Sequence, residues 1–330
     1  MCFAAIRSSG MPNDRMNDTK KIALIFPGQG SQVVGMGKEL AEKYPEARQT
    51  FDEADEALGY KLSELCFEGP EEKLRMTEIT QPAILTTSVA ALRVLETRIP
   101  KPAYVSGHSL GEYSAHVTAG TFTFADAVQT VRNRGKYMQE AVPVGVGTMA
   151  AILGMESEKV DAVCQDAANG EVCSPANINS PEQIVISGNT AAVERATRLA
   201  DERGAKRAKV LPVSAPFHCS LMKPAQDRLE GDLKKLSMNK PAYPVACNVD
   251  AAMVTDNIRA LETLVRQVTG SVKWEQCMRL LIAQGVEVFI EVGPQKVLCG
   301  LMRQIERSKI CLNVADEATL AKTLEALAKA

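Results

Sequence analysis

The pentapeptide Gly107-His108-Ser109-Leu110-Gly111 has the residue types and spacing of a G-x-S-x-G turn that exposes a serine hydroxyl at the start of a helix. Small residues at 107 and 111 let the backbone bend sharply and let strand and helix approach closely. The helix N-terminus adds free N–H groups and the positive end of a dipole, both suited to a developing oxyanion. Taken alone, the pentapeptide fits a nucleophile and an ordinary glycine-bounded turn equally well.

A serine near neutral pH attacks only when a base takes its proton, and histidine is the usual base. The chain has three histidines. His108 is the serine's neighbour in a turn where successive side chains diverge, and His116 lies about 10 Å further along a helix axis. Elimination leaves His218, in Ala215-Pro216-Phe217-His218-Cys219. Cys219 beside it suggests Cys-His chemistry, but adjacent side chains of an extended loop diverge, so a structural cysteine is expected.

Gly28-Gln29-Gly30-Ser31-Gln32 fails as a dinucleotide fingerprint, because Val33 holds the third glycine position. A loop donating N–H groups to an anionic oxygen fits it better, with Gln29 the candidate partner of the Leu110 N–H. Arg132 and Arg134 offer planar forks suited to a carboxylate, although spacing alone favours a solvated helix face. Between 195 and 209, six basic residues (Arg195, Arg198, Arg203, Lys206, Arg207, Lys209) face two acidic ones, a run able to attract an acidic partner. Arg195, Arg198 and Lys206 are its first targets for charge reversal.

These residues need a scaffold. Ile22–Phe26, ended by Pro27-Gly28, reads as a buried parallel strand, as do 103–106 before the serine turn and Val286–Val292 before Gly293-Pro294. Helical patterns cover 37–44, 46–58, 81–98, 110–119 and 124–140, so the main body is an α/β core with a parallel sheet. Residues 142–212 break that rhythm. They read strand 148–153, helix 157–168, strands 172–178 and 183–187, helix 191–203, strand 207–213, the β-α-β-β-α-β order of a ferredoxin-like subdomain. A cleft between two such parts is a common site.

The 330 residues are 45% hydrophobic, enough for a large core, and 38 Lys plus Arg against 40 Asp plus Glu give a net charge of −2. That balance provides no global reason for nucleic-acid or membrane binding. Nine scattered cysteines, odd in number and never C-x-x-C, indicate neither a disulfide framework nor a zinc site, and fit a reducing cytoplasm. Residues 1–20 read as a disordered extension, within which Met16 is an alternative start.

Together the motifs resemble malonyl-CoA:acyl carrier protein transacylases and the acyltransferase domains of fatty acid and polyketide synthases. The resemblance runs from Lys21 to the C-terminal region through FPGQGSQ (26–32), GHSLGEY (107–113), RGKYMQEA (134–141), NSPEQIVISG (179–188), SAPFHCSLM (214–222), VRQ (265–267) and EVGP (291–294). It implies an α/β-hydrolase-like large domain, 21–141 and 213–330, carrying a ferredoxin-like small subdomain, 142–212. It also implies a Ser109–His218 dyad, with His218 oriented by the main-chain carbonyl of Gln267 in place of a triad carboxylate. Gln29 and Leu110 match the oxyanion-hole positions, and Arg134, not Arg132, matches the arginine that pairs with the malonyl carboxylate. Phe217 is similar to the residue found in malonyl-selective members.

The implied reaction is ping-pong malonyl transfer from malonyl-CoA to the phosphopantetheine thiol of acyl carrier protein, with no metal or bound cofactor, supplying fatty acid synthesis. The expected enzyme is free-standing, cytoplasmic and monomeric, without nucleic-acid or membrane partners. The alternatives are a serine esterase or thioesterase, an acyltransferase serving a polyketide synthase, and a binding protein that retains the fold without its chemistry.

Overall fold

In the computed structural model, which describes residues 20–213 and 215–329, strand β1 (Lys21–Phe26) lies at the centre of a six-stranded sheet. Its sequence is apolar throughout because both faces are covered. Ile22, Leu24 and Phe26 enter one core cluster, Ala23 and Ile25 the other. The remaining strands of this sheet are β2 (Tyr104–Gly107), β7 (Val245–Cys247), β8 (Ala252–Val254), β9 (Val286–Val292) and β10 (Ile310–Val314), in the order β10-β9-β1-β2-β7-β8. All neighbours are parallel except β7 and β8.

Strands β1 and β2 end side by side, Phe26 in register with Gly107. The loop at 28–32 and the serine turn therefore leave the same carboxyl edge of the sheet, where open α/β sheets bind ligands.

A second sheet contains β3 (Gly147–Leu153), β4 (Cys173–Ser180), β5 (Gln183–Asn189) and β6 (Arg207–Val210), antiparallel throughout in the order β4-β5-β3-β6. Helices Ser157–Ala168 and Thr190–Glu202 pack on one of its faces, through Ala150, Ile152, Val160, Val163, Val193 and Ala196. The crossovers and strand order are those of a ferredoxin-like unit. The two bodies are stitched together at β4, where the Ile178 N–H donates to Val272 O (2.9 Å) and the Val272 N–H to Ala176 O (2.8 Å).

Several elements differ from their sequence-based bounds. The helix expected from Gln81 starts at Thr77 and contains Pro82, whose missing N–H frees only a first-turn carbonyl. Strand β6 stops at Val210 rather than Val213. The expected N-terminal extension lies outside the described residues apart from Lys20, and Ser214 of the 214–222 motif also lies outside them.

Candidate active site

The serine turn is forced by close backbone contact. A Cβ on Gly111 would stand 2.1 Å from Phe26 O, so only glycine lets the helix Gly111–Thr118 meet β1. Ser109 itself takes φ +50°, a left-handed conformation rare for a side chain with Cβ and characteristic of strained functional turns. Hydrogen bonds hold it there. The Ser109 N–H donates to Asn248 Oδ1 (2.7 Å), Asn248 Nδ2 donates to Gly107 O (2.8 Å), and Gln267 Nε2 donates to Ser109 O (3.0 Å).

His218, 109 residues away in sequence, brings Nε2 to 2.7 Å from Ser109 Oγ. Its Nδ1 lies 2.9 Å from the Gln267 carbonyl, which can only accept, so Nδ1 carries the proton and Nε2 presents its lone pair to the serine hydroxyl. Burial, reinforced by the nearby Arg134 charge, pushes the imidazole down to about 3. His218 is thus neutral and able to accept a proton at neutral pH.

Arg134 projects from the helix Phe124–Glu140 and is 1% exposed. Its Nη2 donates to Ser109 Oγ (3.2 Å) and to Gln267 Oε1 (3.0 Å), and Nη1 donates to Gln81 Oε1 (2.8 Å). Every one of these acceptors is neutral, and Nε, also buried, has no acceptor among the described residues. The guanidinium lies 5.5 Å from the Tyr113 ring. Burial pushes its pKa down, while Tyr113 and Glu112 act in the opposite direction. Arg132, two positions earlier and so on another face of the helix, stacks on Tyr60 at 5.7 Å instead.

Ser109, Arg134 and His218 border a cleft of about 850 Å³ between the two sheets. Gln29 and Leu110 line it as well, and the Gln29 loop approaches the serine turn so closely that a Cβ on Gly28 would stand 2.5 Å from His108 O. The opposite wall includes Met149, Asn179 and Val185 of the second sheet. All six sequence-selected residues, Ser109, His218, Gln29, Leu110, Arg134 and Gln267, therefore gather at or directly behind one cleft.

The other candidates are engaged by other partners. His108 spans the cleft, Nε2 to Asn179 Oδ1 at 2.8 Å, beside Trp274. His116 is buried against Thr121, and burial pushes it down to about 3. The Cys219 thiol is buried, donates to Pro216 O (3.2 Å) and is raised by burial, which leaves it a poor nucleophile.

The basic run divides. Arg195 pairs with Glu171, Arg203 with Asp166 and Lys206 with Glu182, so two of the three residues first chosen for charge reversal already have partners. Arg198, Arg207 and Lys209 are exposed and form no ion pair among the described residues. Arg207 and Lys209 alternate with Ala208, which packs toward the helices, and so share the opposite face of β6. They stand in register with Leu153 and Ala151, beyond which lie the cleft residues Gln183 and Val185.

Sequence reasoning missed Asn248, Gln81, Asn179 and Glu112. Asn248 and Gln81 follow short or unremarkable runs with no local signal, and Asn179 opens the 179–188 motif without its residue type pointing to a role. Glu112 did carry one, as a carboxylate in the first turn of a helix otherwise poor in charge, three residues after the serine. It is fully buried, with Oε2 accepting from the Asn248 N–H (2.9 Å) and Gln267 Nε2 (2.8 Å), and burial pushes it up to about 7.

Comparison with known proteins identifies the family. A family model described as acyl transferase domain matches residues 23–325. The malonyl CoA-acyl carrier protein transacylase of Escherichia coli K12 is 49% identical over 306 residues, spanning 92% of this chain and 99% of its own. The solved structure of the malonyl CoA-acyl carrier protein transacylase from Coxiella burnetii superposes with a TM-score of 0.92 at 44% identity, covering 94% of this chain and 98% of its own. A malonyl-transacylase solved in complex with a type II polyketide acyl-carrier protein reaches a TM-score of 0.90 at 45% identity, covering 93% and 99%.

Proposed function

This chain belongs to the acyl transferase family, and from that premise we propose that it transfers the malonyl group of malonyl-CoA to the phosphopantetheine thiol of acyl carrier protein, through a malonyl ester on Ser109, to supply fatty acid synthesis. The observation that carries the malonyl specificity is Arg134. A guanidinium buried beside the serine hydroxyl, with only neutral acceptors, is costly unless an anion arrives, and the free carboxylate of a malonyl thioester is such an anion.

In the first half-reaction His218 Nε2 takes the Ser109 proton as Oγ attacks the thioester carbon. The tetrahedral oxyanion rests on the N–H groups of Gln29 and Leu110. As it collapses, the carbon–sulfur bond breaks and the imidazolium returns the proton to the CoA thiolate. The second half runs in reverse: the carrier thiol gives its proton to His218 and attacks the malonyl ester, and Ser109 recovers its proton on leaving. The Gln267 carbonyl keeps the imidazole in the required tautomer throughout. Each step is assigned to a group of this chain, so the scheme includes no metal or bound cofactor.

The proposal includes residues 142–212 as a small subdomain closing over a large domain of 21–141 and 213–330, a monomeric enzyme whose site is complete within one chain, and a cytoplasmic location. Free cysteines at all eight described positions support a reducing compartment. Among the described residues no helix is long and apolar enough to cross a membrane.

Intact mass spectrometry after incubation with malonyl-, methylmalonyl- or acetyl-CoA, followed by acyl carrier protein, tests this reading. We expect a malonyl adduct, absent from Ser109→Ala, that the carrier removes. An adduct that water removes as fast as the carrier would instead mark a hydrolase.

A further inference from the structure

Beneath the dyad the Gln267 side-chain amide joins two buried charges. Its Oε1 accepts from Arg134 Nη2 (3.0 Å), and its Nε2 donates to Glu112 Oε2 (2.8 Å). An amide accepts at one end and donates at the other, so it can satisfy a cation and an anion at once without their touching. The same residue orients His218 through its main-chain carbonyl and holds the serine turn through Nε2 to Ser109 O. Glu112 Oε2 also accepts the N–H of Asn248, whose side chain fixes the Ser109 N–H, and Oε1 is buried with no partner among the described residues. One carboxylate thus reaches both Asn248, which fixes Ser109, and Gln267, which touches Ser109, His218 and Arg134.

The titratable groups facing Glu112 are its chain neighbour Tyr113, Arg134 from the helix Phe124–Glu140, Cys247 from β7, Asp250 from the turn after β7, and Cys277 from the helix Trp274–Ala283. Only Arg134 is cationic. Asp250 is already engaged, by Arg259 and Arg266. Burial opposes the charge of Glu112, and Arg134 favours it.

We propose that Glu112 is a positioning residue and the resting counter-charge of Arg134, acting through the Gln267 amide until the carboxylate of the acyl group takes over. The proposal rests on the reading of Arg134 as the carboxylate anchor. It explains how an arginine poised for an anionic substrate stays buried when none is bound.

Glu112→Gln tests it, because the glutamine carbonyl can accept both hydrogen bonds that Oε2 accepts while the charge is lost. An uncompensated Arg134 should bind the substrate carboxylate more tightly and make the adjacent imidazole a weaker base. At pH 8.5, where the wild-type Glu112 is ionised, the KM for malonyl-CoA should therefore fall about ten-fold, with the KM for acetyl-CoA unchanged and kcat reduced for both. Loosened structure alone would not lower one KM selectively, so unchanged or uniformly raised KM values overturn the proposal. Thermal unfolding of Arg134→Gln, Glu112→Gln and the double variant gives a second readout independent of activity. The double variant should be more stable than the two single losses predict, and should fold even if Glu112→Gln alone does not; additive losses, or a double variant that fails to fold, overturn it. If instead the wild type showed no preference for malonyl-CoA, the anchor reading would fail while this stability coupling remained measurable.

Discussion

A Cβ on Gly107 would stand 1.9 Å from the carbonyl carbon of Gly111, so the last residue of β2 and the first of the following helix touch backbone to backbone. Neither partner is a flexible side chain that could yield. Gly107→Ala should destabilise the fold by more than about 3 kcal/mol, beyond ordinary overpacking, and urea unfolding measures it. Gly231→Ala is the control. That glycine is helical with open space around it and should gain about 0.5–1 kcal/mol.

The pH dependence of loading reports on His218. Its buried imidazole is depressed from 6.5 to about 3, so it stays a competent base well below the pH at which a free histidine is protonated. In a Glu112→Gln background, which removes the carboxyl that titrates at about 7, the rate of acyl-enzyme formation should hold between pH 7 and 5 rather than halve near 6.5, provided the protein remains folded. The linked stability has a definite sign. The unfolded chain binds this proton first, so His218 contributes stability that is present above pH 6.5 and is lost as pH falls toward 3. His218→Gln should cost about 10²- to 10⁴-fold in loading rate. A rate for this variant close to wild type would remove His218 as the base.

Selectivity should follow Arg134. Truncation removes a buried charge together with its bonds to Gln81 and Gln267. Arg134→Ala should lower malonyl loading by about 3 kcal/mol, roughly a hundred-fold, while acetyl loading falls much less. Competition between the two thioesters, read by mass spectrometry, checks this. An unchanged ratio would exclude Arg134 as the anchor.

If the basic run docks the carrier protein, charge reversal of Arg207 and Lys209 should weaken its use without altering the serine chemistry. Both side chains are exposed on the cleft face of β6 and form no ion pair among the described residues. In Arg207→Glu/Lys209→Glu we expect transfer to carrier protein to fall about ten-fold or more and to become less sensitive to salt, while single-turnover hydroxylaminolysis of the loaded enzyme is unaffected. Reversal of the already paired Arg195 and Lys206 should have less effect, and an equal effect would point to general surface charge.

The local elements were legible in sequence because their signals are local. The apolar run at β1, the glycines around Ser109 and the helical pattern of 124–140 each act over a few residues, and the three histidines were few enough for elimination to leave His218. The β-α-β-β-α-β order of the second sheet could likewise be read from alternating periods of two and 3.6. By contrast, β7 is only three residues long, and Asn248 beside it carries no periodicity at all. Its role arises because β7 pairs with β2, which sets its amide beside a turn 139 residues earlier.

The sequence by itself determined a parallel α/β body, a serine presented at a glycine-bounded turn and a histidine available as its base, since residue type and short-range spacing decide these. Spacing left Arg132 and Arg134 open and the family resemblance pointed to Arg134; tertiary structure alone decided how Arg134 meets the serine, that Glu112 lies buried beneath it, and that only part of the basic run is unpaired among the described residues. Those outcomes depend on which helix face meets which sheet and on how much water burial removes from each charge, and both are set by packing between segments far apart in the chain.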